Sequence, residues 1–186
     1  MSEGKNLIYL EIYDNCNNVV LQETLSKEIR LANVYNIKEP VRVKDNILLT
    51  VKEFYVSDKV IENTTLFEPS YEIYYSREGF KFVIIKYSEK NIGTRKIWGY
   101  GGSSYLITED NNVYESYYFS DLRRVGCKVK EVNSLSFELL KHLCGGVIGT
   151  LYPDEEKSEC VFFEIRENEV PKYFVLGEYI FLLKGE

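Results

Sequence analysis

A chain of 186 residues with one alanine, Ala32, has little of the material from which helices are most cheaply built. Between residues 6 and 119 its apolar positions are Tyr, Ile, Val, Phe and Leu, broken at intervals by turn residues. β-Branched and aromatic side chains suit a pleated, half-buried surface. The expected fold is therefore mainly β (α+β is the variant considered). It consists of antiparallel strands and hairpins in one sheet or in sandwich-like packing, over a single domain spanning 1–186.

Alternation places the strands. In residues 7–13, Ile8, Leu10 and Ile12 fall on one face and Tyr9, Glu11 and Tyr13 on the other. Residues 14–18 read as a turn. In 19–34, Leu21, Leu25 and Ile29 recur with a helical spacing, whereas Val19, Val20 and Thr24 favour a returning strand, which is the reading taken. Segments 41–43 and 47–56 flank a turn at Asp45 and Asn46. Segments 71–76 and 80–87 flank Arg77, Glu78 and Gly79 and predict the clearest hairpin in the chain. Phe80, Phe82 and Ile84 alternate there with Val83, Ile85 and Tyr87, so the second strand is apolar on both faces and is expected inside its sheet. Segments 105–108 and 113–119 repeat the hairpin pattern.

One principal helix is predicted at 134–143, from an N-cap at Ser134, the stripe Leu135, Leu139, Leu140 and Leu143, and a stop at Gly145 and Gly146. A helical turn is expected at 121–125, closed by Gly126. Strands follow at 147–152, 160–166, 173–176 and 179–183. The polar stretch 88–96 is the alternative domain boundary.

No apolar run reaches the ~20 residues needed to span a bilayer. The polar start of the chain shows no signal peptide, so a soluble, cytoplasmic protein is expected. On that reading Cys16, Cys127, Cys144 and Cys160 are reduced and buried, and none forms a C-x-x-C pair. Gln22 is the only glutamine, while Ile, Tyr, Lys and Glu abound. This thermophile-like composition also fits an AT-rich genome, and in a hyperthermophile an intracellular disulfide would again be possible.

The net charge is −6. Residues 1–96 carry 14 basic and 14 acidic side chains, whereas 97–186 carry 9 and 15, so the second half holds the whole excess. That argues against a general nucleic-acid binder, which needs a basic stripe to neutralise phosphates. The one local basic excess, Lys81, Lys86, Lys90, Arg95 and Lys96, reads as the solvated edge of a hairpin.

Three constellations could carry chemistry. Trp98, Gly99, Tyr100, Gly101, Gly102, Ser103 and Ser104 form a glycine loop whose backbone N–H groups could converge on a small anion. It lacks a Walker lysine and the G-x-G-x-x-G spacing, and a strand connection whose glycines let Trp98 and Tyr100 pack closely is the simpler account. Asp154 with Glu164 and Arg166 faintly matches the nuclease pattern of an aspartate followed by Glu-x-Lys, in which two carboxylates hold Mg²⁺. Arginine cannot replace lysine in giving up a proton, and Glu155, Glu156, Glu159, Glu167 and Glu169 would repel phosphate, so a charged turn and an outward strand face are the simpler account. His142 and Cys144 lie at the end of the predicted helix, whose negative pole opposes a reactive thiolate. With a single histidine, metal sites needing two are impossible.

Sixteen tyrosines remain. Tyr114, Tyr117 and Tyr118 are interleaved with acidic residues between 109 and 121, and Tyr114 and Tyr118 are expected to share a strand face. Such rings favour interfaces. The functional reading is a soluble, non-enzymatic protein-binding or assembly module. Its acidic, aromatic surface would meet a basic protein partner through Tyr114, Tyr117, Tyr118, Trp98, Tyr100, Gly101, Gly102 and Ser103, with no membrane and no cofactor or metal. The alternatives are a metal-dependent nuclease-like hydrolase using Asp154 and Glu164, and a binder of a small anionic ligand using the glycine loop 99–104. The partner's identity and the oligomeric state are not legible in the sequence.

Overall fold

The computed structural model describes residues 8–13, 19–25, 34–43, 46–64, 70–100, 102–125, 127–144 and 149–183, the first two segments by backbone alone. Contacts gather into two units, Met1–Asn33 and Val34–Glu186. In the first, β1 (Ile8–Tyr13) and β2 (Val19–Leu25) pair antiparallel, so the strand reading of 19–34 holds as far as Leu25. The turn at 14–18, Cys16 and residues 26–33 lie outside the described residues.

The second unit runs β3 (Val34–Asn36), β4 (Val41–Val43), β5 (Ile47–Ser57), β6 (Lys59–Asn63), β7 (Tyr71–Tyr75), β8 (Phe80–Asn91), β9 (Ile97–Trp98), β10 (Ser104–Thr108), β11 (Val113–Glu115), α1 (Phe119–Arg124), β12 (Lys128–Val132), α2 (Phe137–Leu140), β13 (Thr150–Leu151), β14 (Glu156–Arg166), β15 (Pro171–Leu176) and β16 (Tyr179–Leu182). The chain is mainly β, as expected.

Its central sheet has the order β14-β8-β5-β4, antiparallel throughout. β8 lies inside it and presents two apolar faces. Val83, Ile85 and Tyr87, with Phe163 of β14, pack against Leu106, Phe174, Leu176 and Phe181 of a five-stranded sheet ordered β11-β10-β15-β16-β3. On the opposite face, Phe82 and Ile84 of β8 and Phe162 of β14 pack with Val60, Tyr74, Leu122 and Cys127, from the three-stranded sheet β12-β7-β6, α1 and the connection after it. The two larger sheets form a sandwich, and the smaller sheet adds a third layer over the centre.

Several expectations change. The turn at Arg77–Gly79 forms, with Phe80 N–H donating to the Arg77 carbonyl at 3.0 Å, but β7 and β8 do not pair. β8 takes β5 and β14 as neighbours, and β7 takes β6 and β12, so the chain changes sheet at this turn. The lysines of β8 are accordingly not on an edge. Lys86 lies over the Tyr55 ring at 5.5 Å, and Lys81 Nζ donates to the Glu167 carbonyl at 2.6 Å.

The helix predicted at 134–143 contracts to the four residues of α2, with Ser136 rather than Ser134 at its N-cap. Its intended last turn is drawn off as a bridge to β6: Ile61 N–H donates to the His142 carbonyl at 2.9 Å, and Cys144 N–H to the Ile61 carbonyl at 2.8 Å. Gly145 and Gly146 lie outside the described residues. The turn expected at 121–125 is the longer helix, α1.

The cysteines are not all reduced. Cys144 and Cys160 form a disulfide, their Cα atoms 5.3 Å apart, and Cys127 is a buried thiol. The polar stretch 88–96 begins inside β8, where Ser88, Glu89 and Asn91 are buried. No helix of the described residues is long and apolar enough to cross a membrane.

Candidate functional site

The site grows from the lower half of the β8–β14 pair. Register sets Glu159 directly opposite Tyr87, and Glu89 stands two residues farther along β8, which strand alternation puts on the same face. All three are buried. The connection after β9 folds over Glu89, and Tyr100 N–H donates to its Oε2 at 2.7 Å. A Cβ on Gly99 would come within 2.6 Å of that oxygen, which is why the residue before Tyr100 has no side chain. The glycine loop thus wraps a carboxylate of its own chain, and the Tyr100 N–H that an outside anion would need is occupied. Gly101 lies outside the described residues.

Burial pushes the Glu89 carboxyl above its ordinary range, against the opposing pull of the Tyr100 N–H. Burial also raises Glu159, helped by the nearby Glu89 charge, with Lys157 acting in the other direction. The Tyr87 phenol is pushed up by burial and then by the same two carboxylates. The Lys157 ammonium is committed elsewhere, donating to the Thr150 carbonyl at 2.8 Å and lying 3.6 Å from Glu155.

The other wall comes from the chain between β11 and α1. Ser104 Oγ donates to Ser116 Oγ at 2.7 Å, tying it to the glycine loop. Tyr117 N–H donates to the Phe162 carbonyl at 2.9 Å, tying it to β14. Tyr118 follows, 73% exposed, its N–H donating to Asp121 Oδ2 at 2.9 Å as α1 begins.

Between the walls lies a cleft of about 560 Å³. Six aromatic residues (Tyr87, Tyr100, Tyr117, Tyr118, Phe119 and Phe162) and three glutamates (Glu62, Glu115 and Glu159) contribute to its lining, together with the Cys144–Cys160 disulfide; no Lys, Arg or His lines it among the described residues. Glu62 is offset by Arg123, whose guanidinium lies 3.2 Å away. Aromatic faces and carboxylates without a cation of their own suit a positively charged guest. The serines of the lining that hydrogen-bond through their hydroxyls, Ser104 and Ser116, do so to each other, and no group of three His, Cys, Asp or Glu side chains among the described residues could hold a metal ion.

The cleft unites two motifs that the sequence kept apart, bringing Tyr100, Gly102 and Ser103 together with Tyr117 and Tyr118. Trp98 is placed in β9, 73% exposed and outside the lining. Tyr114 is also elsewhere, in β11, its ring against the main core and its hydroxyl donated to the buried Glu169. Because β11 ends at Glu115, Tyr114 and Tyr118 do not share a strand face.

The carboxylates of the hydrolase alternative are not brought together. Asp154 occupies a turn before β14, while Glu164 lies near the far end of that strand, about 25 Å beyond Glu156 at some 3.3 Å per residue. Glu164 is moreover engaged by Arg77, whose Nη2 donates to Oε2 at 2.6 Å and whose backbone N–H donates to Oε1 at 3.2 Å. Arg166 is exposed. Nor is this an outward strand face throughout, for Glu159, Glu164 and Glu169 are all buried. Glu159 was legible as a site residue: alternation places it with Val161, Phe163 and Ile165, and its charge masked that register.

No protein-family model matches the chain, and no curated protein matches it. Three solved structures are similar in shape. A conserved hypothetical protein from Bacillus anthracis is 20% identical, with a TM-score of 0.54 over 81% of this chain and 95% of the other. A beta-sandwich protein from Clostridium difficile 630 is 13% identical (TM-score 0.46; 82% of this chain, 95% of that one), and the yjhA protein of Bacillus subtilis is 16% identical (0.43; 73% and 76%). The first likeness is one of fold.

Proposed function

We propose that this protein is a non-enzymatic binding module that takes a protein partner through a basic surface, with the cleft between the glycine loop and Tyr118 as its contact. The observation that carries this reading is the lining: aromatic rings and glutamates, with no cationic side chain among the described residues. Charge speeds the encounter with a basic surface, and desolvated rings hold it. Tyr118 and Glu115, at the mouth and exposed, are the residues a partner meets first.

The test is a titration with hexalysine and, as control, hexaglutamate, followed by calorimetry at low and at raised salt. Hexalysine should bind, more weakly as salt rises, and should lose about tenfold in affinity to Tyr118→Ala with Glu115→Ala at an unchanged melting temperature. Preference for hexaglutamate, or no binding of hexalysine, overturns the reading.

A further inference from the structure

We propose that Glu159 is the receptor for a lysine side chain of the partner, whose ammonium enters the cleft and pairs with the buried carboxylate. The assignment rests on the functional reading above and adds to it the residue and the chemical group recognised. Glu159 is 9% exposed and lines the cleft, yet among the described residues its carboxylate has neither a hydrogen bond nor an ion pair. Every other strongly buried carboxylate in this half of the molecule is engaged: Glu89 by Tyr100 N–H, Glu164 by Arg77, Glu169 by Asn112 and Tyr114.

A carboxylate with little access to water and no protein partner is held at a cost, and a cation delivered by a ligand relieves that cost. Lys157 is nearby but makes no ion pair with it, its ammonium being held at Thr150 and Glu155. Tyr87, Tyr100 and Tyr117 share the lining with Glu159, so an aliphatic stem would gain apolar contact there and an ammonium the aromatic surroundings. One unpaired carboxylate matches three ammonium donors better than the five of a guanidinium, which would leave more N–H groups without a partner in the cleft.

The experiment is an NMR titration with acetyl-Gly-Gly-Lys-Gly-Gly-amide and with the same peptide carrying norleucine or Nε-acetyl-lysine at its centre. The lysine peptide should give saturable shifts at the amides of Glu159, Tyr100 and Ser103, and both substituted peptides should bind about tenfold more weakly or worse. Glu159→Gln, which keeps shape and removes charge, should bring the lysine peptide down to the norleucine level. Equal binding of lysine and norleucine peptides by the wild type overturns the assignment without recourse to any variant. So does a folded Glu159→Gln protein that binds the lysine peptide as the wild type does. If hexalysine still binds and still responds to Tyr118→Ala, only the role of Glu159 falls. If hexalysine does not bind at all, the functional reading falls with it.

Discussion

The two faces of the central sheet are covered by different means. The face turned to the five-stranded sheet is closed by a broad apolar cluster, with Phe174 touching Tyr87, Phe163 and Phe181 at ring-centroid distances of 6.1–6.2 Å, and carries the buried Glu89 and Glu159 only toward the cleft. The face turned to the three-stranded sheet and α1 has a smaller apolar cluster and several polar and covalent ties. Tyr74 sits in that cluster with its hydroxyl donated to Glu72, and Arg123 Nε donates to the same hydroxyl at 2.7 Å. Arg77 holds the buried Glu164 there, and the disulfide fastens Cys144 to β14. A broad interface is secured mainly by apolar area, whereas a small cover needs discrete clamps.

The largest effect should come from the broad face. Phe174→Ala should cost about 3–5 kcal/mol, and Ile84→Ala on the other face about 2–5 kcal/mol, measured from denaturant midpoints. A cost under about 0.5 kcal/mol for Ile84→Ala would mean that β8 does not bury two faces. Opening the disulfide by Cys144→Ser with Cys160→Ser should cost about 3 kcal/mol, given a sequence separation of 16. If the clamp argument is right, hydrogen exchange should accelerate in β6, β7 and α1 far more than in β15 and β16.

Arg77→Met should cost less, about 1–3 kcal/mol, because the Arg77 side chain is 39% exposed and water reaches the vacated site. Restoring neutrality with Glu164→Gln in the Arg77→Met background should recover part of the loss; a further drop would show that the pair is not a clamp.

The smallest effect is one of pH. His142 is buried, its Nδ1 has no hydrogen-bond partner, and burial, then Lys141 and Lys59, hold its pKa below the usual 6.5. A depressed histidine leaves stability intact above pH 6.5 and removes it as pH falls from there through the folded-state value. Glu89 and Glu159 are shifted the other way, so their penalty fades as pH falls and partly offsets this slope. The stability difference between wild type and His142→Leu isolates the histidine, and it should shift in favour of the variant as pH drops below 6.5. A difference independent of pH would remove His142 from this account.

Local alternation made the two-faced strand readable, since Phe82 and Ile84 against Val83 and Ile85 is a pattern within one segment. The partner of β7 was not readable that way, because a good turn at Arg77–Gly79 says nothing about which edges are already taken. The leucine stripe of 134–143 satisfied helical spacing, yet a bridge to Ile61 and a bond to Cys160, both distant in sequence, claimed its end. The cleft shows the same division. Its tyrosines and glycines stood out by composition, whereas the burial of Glu89 and Glu159 followed from strand register and was hidden by their charge.

The position of β8 has a consequence for synthesis. Its neighbour β5 precedes it, but β14, which completes it, ends only at Arg166. At about 5–20 residues per second, the ribosome leaves the outer edge of β8 unpartnered for several seconds after Asn91 has been made. During that interval a twelve-residue segment, adhesive on two faces and along one edge, is presented to the cell. Yield in an expression host should therefore depend on holdase chaperones and on the rate of translation between residues 91 and 166. Slower codons placed there should increase the insoluble fraction, with no change in the stability of the protein that does fold.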